Sequence, residues 1–103
     1  PDARRVLVVD DDPLVAAGTA MMLEDLGHAP VLAASAEEAL RLLAGGEEVD
    51  VVLTDHAMPG MTGLDLAQRL RRERPELPVV LATGFVEAPG AHPAWLPRLN
   101  KPY

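Results

Sequence analysis

Val6-Leu7-Val8-Val9-Asp10-Asp11-Asp12-Pro13 decides the fold. Its first four residues are apolar, mostly β-branched, and show no alternation. Such a run fits a strand buried on both faces of a parallel sheet. Asp12 and Pro13 then open a helix, with aspartate as N-cap and proline at the first helical position. Leu14, Ala17, Met21 and the stretch from Glu24 to Leu26 are expected to carry the helical period, and Gly27 stops it. A second apolar run, Val49 to Thr54, also ends in a carboxylate, that of Asp55. If these strands are neighbours, several negative charges meet at one edge of the sheet. Two like charges ~4 Å apart repel by about 4 kcal/mol at an effective dielectric of ~20. A chain retains such a cluster where a cation fills it or where one carboxylate does chemistry.

The rest of the chain extends the same alternation. Val31 to Ala34 reads as a weaker strand. Ser35-x-x-Glu38 is a capping box for a second helix, whose apolar face is Ala39, Leu42 and Leu43 and whose stop is Gly45-Gly46. Thr62-x-x-Asp65 caps a third helix, with Leu64, Ala67 and Leu70 inward. Arg69, Arg71, Arg72 and Arg74 lie near its C-terminus, where the helix dipole favours cations. Val79 to Ala82 is a fourth strand and Arg98 to Asn100 the stub of a fifth. Alternating strands and helices imply an α/β fold with a doubly wound parallel sheet and right-handed crossovers. The segment from Glu87 to Pro97 breaks the rhythm. Its prolines Pro89, Pro93 and Pro97 exclude a long helix, so the fourth helix is expected to be short or absent. A terminal helix would be due after the fifth strand, and the sequence stops at Tyr103.

The 103 residues suffice for one domain with one core, residues 1–103. Hydrophobic residues make up 49% and charged residues 24%, an ordinary globular balance. With one Phe, one Tyr and one Trp, the core must be aliphatic. The absence of cysteine rules out disulfide and thiolate chemistry and fits a cytoplasmic location. No apolar run approaches the ~20 residues of a membrane span, so no membrane insertion is expected. A net charge of −7 without a basic stripe disfavours direct nucleic-acid binding and suits a cation or a basic partner surface.

In open parallel sheets, ligands bind outside the carboxyl ends of the strands, where the strand order reverses. With the order 2-1-3-4-5, Asp10, Asp11, Asp55, Thr83 and Lys101 converge on that rim. Asp11 and Asp55 suit a hard cation, most simply Mg²⁺ with several waters, and Asp10 assists through one of them. Thr83 and Lys101 offer a hydroxyl and an ammonium to phosphate oxygens. A carboxylate beside a metal and an ammonium is a route to an aspartyl-phosphate.

Four motifs now stand in order: Val6 to Pro13; Asp55-x-x-Met58-Pro59-Gly60-Met61-x-Gly63; Leu81-Ala82-Thr83-Gly84; and Asn100-Lys101-Pro102-Tyr103. Together they closely resemble the response regulator receiver domains of two-component signalling, and the likeness spans the chain. The resemblance implies a flavodoxin-like fold with Asp55 as phosphoacceptor. It implies Asp10 and Asp11 as Mg²⁺ acids and the Ala57 carbonyl as a backbone metal ligand. Thr83 becomes the switch hydroxyl, and Lys101 binds the phosphoryl group. The implied donor is a phosphohistidine on a histidine kinase or a histidine phosphotransfer protein.

Three departures stand out. Arg98 occupies the place of the usual switch aromatic. The Thr83 to Lys101 span is short and proline-rich, a weak likeness to receivers fused to hybrid kinases. Without a terminal helix one sheet edge lacks cover, so a homodimer covering that edge is a further expectation. In the family, the residues two after the phosphoacceptor and two after the switch threonine modulate attacking water. Here they are Ala57 and Phe85, neither of which can orient water, so slow self-dephosphorylation is expected.

Two other functions compete. A haloacid-dehalogenase-type phosphatase uses an Asp-x-Asp after its first strand, and Asp10 and Asp12 have that spacing. Leu14, however, stands where that family needs a hydroxyl. A degenerate receiver acting as an interaction module is the other, and the intact Asp10, Asp11, Asp55, Thr83 and Lys101 speak against it. A dinucleotide site is excluded because no Gly-x-Gly-x-x-Gly follows the first strand. The plainer expectations are Asp12 as a cap only, Met58 and Met61 as packing residues, and His28, His56 and His92 as solvated. Trp95 is expected to cover sheet or meet a partner, and the arginine cluster to be a solvated helix end.

Overall fold

The computed structural model describes residues 3–83 and 95–100. The elements are β1 (Arg5–Val9), α1 (Pro13–Asp25), β2 (Ala29–Ala33), α2 (Ala36–Ala44), β3 (Val51–Asp55), α3 (Gly63–Glu73), β4 (Val79–Thr83) and β5 (Arg98–Asn100). All pairings are parallel, and the strand order is β2-β1-β3-β4-β5, the doubly wound flavodoxin-like order expected from the sequence. Between β1 and β3 the order reverses. Val9 faces Thr54 in that pairing, so one further step sets Asp10 beside Asp55. The Asp10 N–H donates to the Ala33 carbonyl at 3.0 Å, which holds this extra residue on the sheet.

The two faces of the sheet are covered unequally. Leu7, Val9, Val52 and Leu81 point to one face, where Ala39 and Leu43 of α2 and Leu66, Ala67 and Leu70 of α3 close over them. Leu96, just before β5, is 1% exposed and completes this layer. Val6, Val8, Leu53 and Ala82 point to the other face, under Leu23 of α1. Val51 and Val80 on that side are only half-buried, and among the described residues α1 is the one helix packed there.

Boundaries shift where tertiary pairing outweighs local composition. Strand β2 starts at Ala29 rather than Val31, because Arg5 of β1 pairs with Ala29 and Val6 with Pro30. Proline is tolerated there because β2 has a neighbour on one side only. Val49 precedes β3 but still packs on the larger layer. In α2, Ser35 accepts from the Glu38 N–H at 3.0 Å as a cap should, but Glu38 accepts from the Ala34 N–H at 2.6 Å. Its carboxylate thus reaches one residue further back than a reciprocal box requires. The full box forms at α3, between Thr62 and Asp65.

Two expectations need correction. In α1 the buried residues are Ala16, Thr19 and Leu23, while Leu14, Ala17 and Met21 face outward. The arginine cluster is also more than a solvated end. Arg71 stacks on the Trp95 ring at 4.3 Å, Arg69 pairs with Glu73 at 2.8 Å, and Arg74 donates to the Leu43 carbonyl at 2.9 Å. Trp95 therefore rests on α3. Most of the segment from Glu87 to Pro97, including His92 and the place of a fourth helix, lies outside the described residues.

Candidate functional site

Asp10 and Asp11 follow β1, and Asp55 ends β3. A carboxylate oxygen from each lies within 4.8 Å of the other two. Their environments differ. Asp10 is buried, Asp55 is half-buried and Asp11 is exposed. Asp10 is oriented by the Asp12 N–H, which donates to its Oδ1 at 2.9 Å. At about 5 Å and an effective dielectric of ~20, each charged pair repels by about 3 kcal/mol, less where Asp11 meets water. The fold brings these charges together at its switch point.

Mg²⁺ binds oxygen at about 2.1 Å and holds its ligands at corners about 3–4 Å apart, usually keeping several waters. Three carboxylate oxygens within 4.8 Å, one of them on an exposed side chain, match that ion after small side-chain rotations. The donor set is all oxygen, which suits Mg²⁺ over softer metals. Ala57 lies two residues beyond Asp55 in the β3–α3 loop and is exposed. Asp12 is not in the cluster. Its carboxylate accepts from the Leu14 and Val15 N–H groups at 3.0 and 3.4 Å, the work of an N-cap. The Asp-x-Asp phosphatase arrangement, which needs this side chain at the reacting centre, is not formed.

Asp55 pairs with Ala82 in the β3–β4 register, so Thr83 stands one step further out on the neighbouring strand, opposite Asn100 of β5. Lys101, next after Asn100, lies outside the described residues, as does Phe85.

Other residues surround the site. Glu38 shares with Asp10, Asp11, Pro13, Ala16 and Leu32 a groove of about 380 Å³. Thr54, fully buried, donates its hydroxyl to the Asp55 carbonyl at 3.0 Å. Gly63, the first residue of α3, donates its N–H to the His56 carbonyl at 3.0 Å. Gly60 in the loop between them has φ +75°, a conformation glycine adopts without strain. His56 is half-buried rather than solvated, and its Nδ1 is buried without a hydrogen-bond partner among the described residues. Met58 is buried and Met61 half-buried, both in the larger core layer, as packing residues should be.

Residues 6–95 match the response regulator receiver domain family. The response regulator GacA of Pseudomonas viridiflava is 44% identical over 87 residues, covering 82% of this chain and 40% of that protein. The sensor kinase CckA of Brucella abortus is 36% identical over 83 residues, covering 80% of this chain and 9% of the kinase. The chain thus spans less than half the length of these relatives. Among solved structures, a response regulator receiver domain protein from Clostridium thermocellum superposes with a TM-score of 0.85 at 29% identity, covering 96% of this chain and 82% of that one. The response regulator TrrA from Thermotoga maritima, in complex with Mg²⁺-BeF, gives a TM-score of 0.86 at 29% identity, covering 95% and 86%. With the carboxylate cluster at the switch point of a 2-1-3-4-5 sheet and a family match across most of its length, this chain belongs to the response regulator receiver domains of two-component signalling.

Proposed function

We propose that this domain takes a phosphoryl group onto the Asp55 carboxylate from the phosphohistidine of a histidine kinase or a histidine phosphotransfer protein. The observation that carries this is the convergence of Asp10, Asp11 and Asp55 from two neighbouring strand ends, with Asp55 alone on β3. An Asp55 oxygen attacks phosphorus as the phosphorus–nitrogen bond of the donor breaks. The bonding pair leaves on the imidazole nitrogen. Asp10, Asp11, Asp55 and the Ala57 carbonyl would hold Mg²⁺, which supplies charge neutralisation for the phosphoryl oxygens. Thr83 and Lys101 would take the remaining phosphoryl oxygens, from a strand end next to that of Asp55 and from the residue after β5. Mg²⁺-BeF in the similar TrrA supports this assignment.

The donor is a protein, and α1 offers it a surface beside the reacting group. Leu14 and Met21 are 84% and 65% exposed, and with Ala17 and Gly18 they form one outward stripe that begins just beyond Asp11 and Asp12. Acids flank the stripe at both ends, Asp11 and Asp12 at one and Glu24 and Asp25 at the other. A histidine-bearing partner with an apolar centre and a basic rim complements that pattern.

The test is incubation with acetyl phosphate and Mg²⁺ followed by intact mass. A gain of one phosphoryl group is expected, absent when Mg²⁺ is chelated beforehand and abolished in Asp55→Asn. Absence of any gain in the native protein would sink the proposal. Once formed, the acyl phosphate is expected to persist. The Ala57 methyl offers no hydrogen bond to water, and a water-orienting group contributes a factor of about 10²–10⁴. Disappearance of the phosphoryl group within seconds, in purified protein with Mg²⁺, contradicts that expectation.

A further inference from the structure

Three facts meet at the main-chain carbonyl of Asp55. Thr54 is fully buried, yet its side chain ends in a hydroxyl, and that hydroxyl donates to the Asp55 carbonyl at 3.0 Å. On the other side the carbonyl faces Gly63. A Cβ placed on Gly63 would lie 2.1 Å from the Asp55 oxygen, 2.9 Å from its carbonyl carbon and 3.0 Å from the His56 Cα. The Gly63 N–H donates to the next carbonyl along, that of His56, at 3.0 Å. Gly63 is buried and its φ is not positive, so close approach, not backbone conformation, is what requires glycine here.

We propose that Thr54 and Gly63 form a clamp on the Asp55 peptide and act as positioning residues for the phosphoacceptor. This rests on the assignment of Asp55 as phosphoacceptor made above. The Thr54 hydroxyl fixes the carbonyl in direction. Gly63 fixes it in depth, because α3 starts in van der Waals contact with the strand end. The same peptide sets the departure of the loop that carries Ala57. A side chain at position 63 must displace the Asp55 peptide by about 1 Å, and a misplacement of that size at a reacting group costs up to about 10²-fold in rate. Loss of the hydroxyl at position 54 leaves the fold's packing in place and loosens only the carbonyl.

Thr54→Val, Thr54→Ser and Gly63→Ala separate this role from simple packing, with Leu43→Ala of α2 in the core as the control for lost stability. The measurements are the rate of phosphoryl uptake from acetyl phosphate at saturating Mg²⁺, the Mg²⁺ dependence of that rate, and the position of the His56 amide resonance. Thr54→Val is expected to slow uptake about tenfold, and Thr54→Ser, which keeps the hydroxyl, to restore it to within about twofold. Gly63→Ala is expected to slow uptake more than Thr54→Val and to raise the Mg²⁺ concentration required. Leu43→Ala, assayed below its melting midpoint, keeps the native rate. The proposal is overturned if Thr54→Val reacts as fast as the native protein, or if Thr54→Ser is as slow as Thr54→Val. Should Gly63→Ala fail to fold, the two Thr54 variants decide. Should the native protein take up no phosphoryl group, the functional assignment fails and the clamp is judged on the His56 amide alone. A shift of that resonance in Thr54→Val but not Thr54→Ser supports it, and an unmoved resonance overturns it.

Discussion

Helices α1 and α3 flank the same acidic site and are built to opposite specifications. α3 is sharply two-sided. Leu66, Ala67 and Leu70 are buried to 1% exposure or less, while Asp65, Gln68, Arg69, Arg71 and Arg72 face out. Both of its ends are tied down, by the Thr62–Asp65 box at the start and by the arginine contacts to Glu73, Trp95 and Leu43 near the end. α1 carries no charge from Pro13 to Leu23, and its outer face is as apolar as its inner one. A helix that is apolar on every side is ordinarily enclosed. The difference separates a helix whose outer face suits solvent from one whose outer face suits the protein donor of the proposed function. α3 positions the strand that ends in Asp55, and under the proposed function α1 is the side from which a donor is expected.

The comparison breaks most severely at α3. Leu70→Ala removes a fully buried side chain between α3 and the sheet, and such truncations cost about 2–5 kcal/mol. Chemical denaturation with an unchanged slope is expected to show a loss in that range. A loss below about 1 kcal/mol would mean that α3 is not the fixed element supposed here. Next comes the cap. Thr62→Ala removes the hydroxyl that accepts from the Asp65 N–H and leaves only the Thr62 N–H donating to the Asp65 carboxylate, and is expected to lower stability by about 1 kcal/mol. The equivalent change at α1, Asp12→Ala, is expected to cost a similar amount. Its carboxylate caps Leu14 and Val15 and does not belong to the cluster, so Asp12→Ala should leave Mg²⁺-dependent phosphoryl uptake within about twofold of native. A loss approaching that of Asp55→Asn would place Asp12 at the reacting centre after all.

What the sequence could disclose follows from the same contrast. The strand order comes with the family resemblance, while the strands and the acids at their ends are legible because each rests on a local pattern. These are an unbroken apolar run, a carboxylate at its end, and an N-cap followed by proline. The α3 box is legible for the same reason. The inner face of α1 is not, because periodicity selects a face only when the other face is polar. Leu14, Ala17 and Met21 satisfy the helical spacing as well as Ala16, Thr19 and Leu23 do, and only the sheet decides between them. Glu38 has the spacing of a reciprocal box, and nothing local predicts that it reaches Ala34. Gly63 reads as one more glycine near a helix start. It shares a motif with Asp55, but its contact with the Asp55 carbonyl exists only once α3 has docked on the sheet, so the motif does not disclose why glycine is needed.

The smallest expected effect on stability is the sharpest test of the difference between the helices. Leu14→Glu and Met21→Glu place a charge on residues that are 84% and 65% exposed. Neither change opens a cavity, and glutamate is as good a helix former as the residues it replaces. Stability should therefore move by no more than about 0.5 kcal/mol. Uptake from acetyl phosphate, a donor too small to reach the stripe, should hold within about twofold. Transfer from a histidine phosphotransfer protein that loads the native domain should fall about tenfold or more. A glutamate in an apolar contact must be desolvated, and here it joins the acids already at both ends of the stripe, equivalent to at least about 1.4 kcal/mol of lost association. A glutamate at exposed Arg72 of α3 is the matched control and should alter neither donor's rate. If Leu14→Glu and Arg72→Glu behave alike with the protein donor, the apolar face of α1 serves something other than phosphotransfer. If Leu14→Glu instead unfolds the domain, that face is covered within the native protein itself.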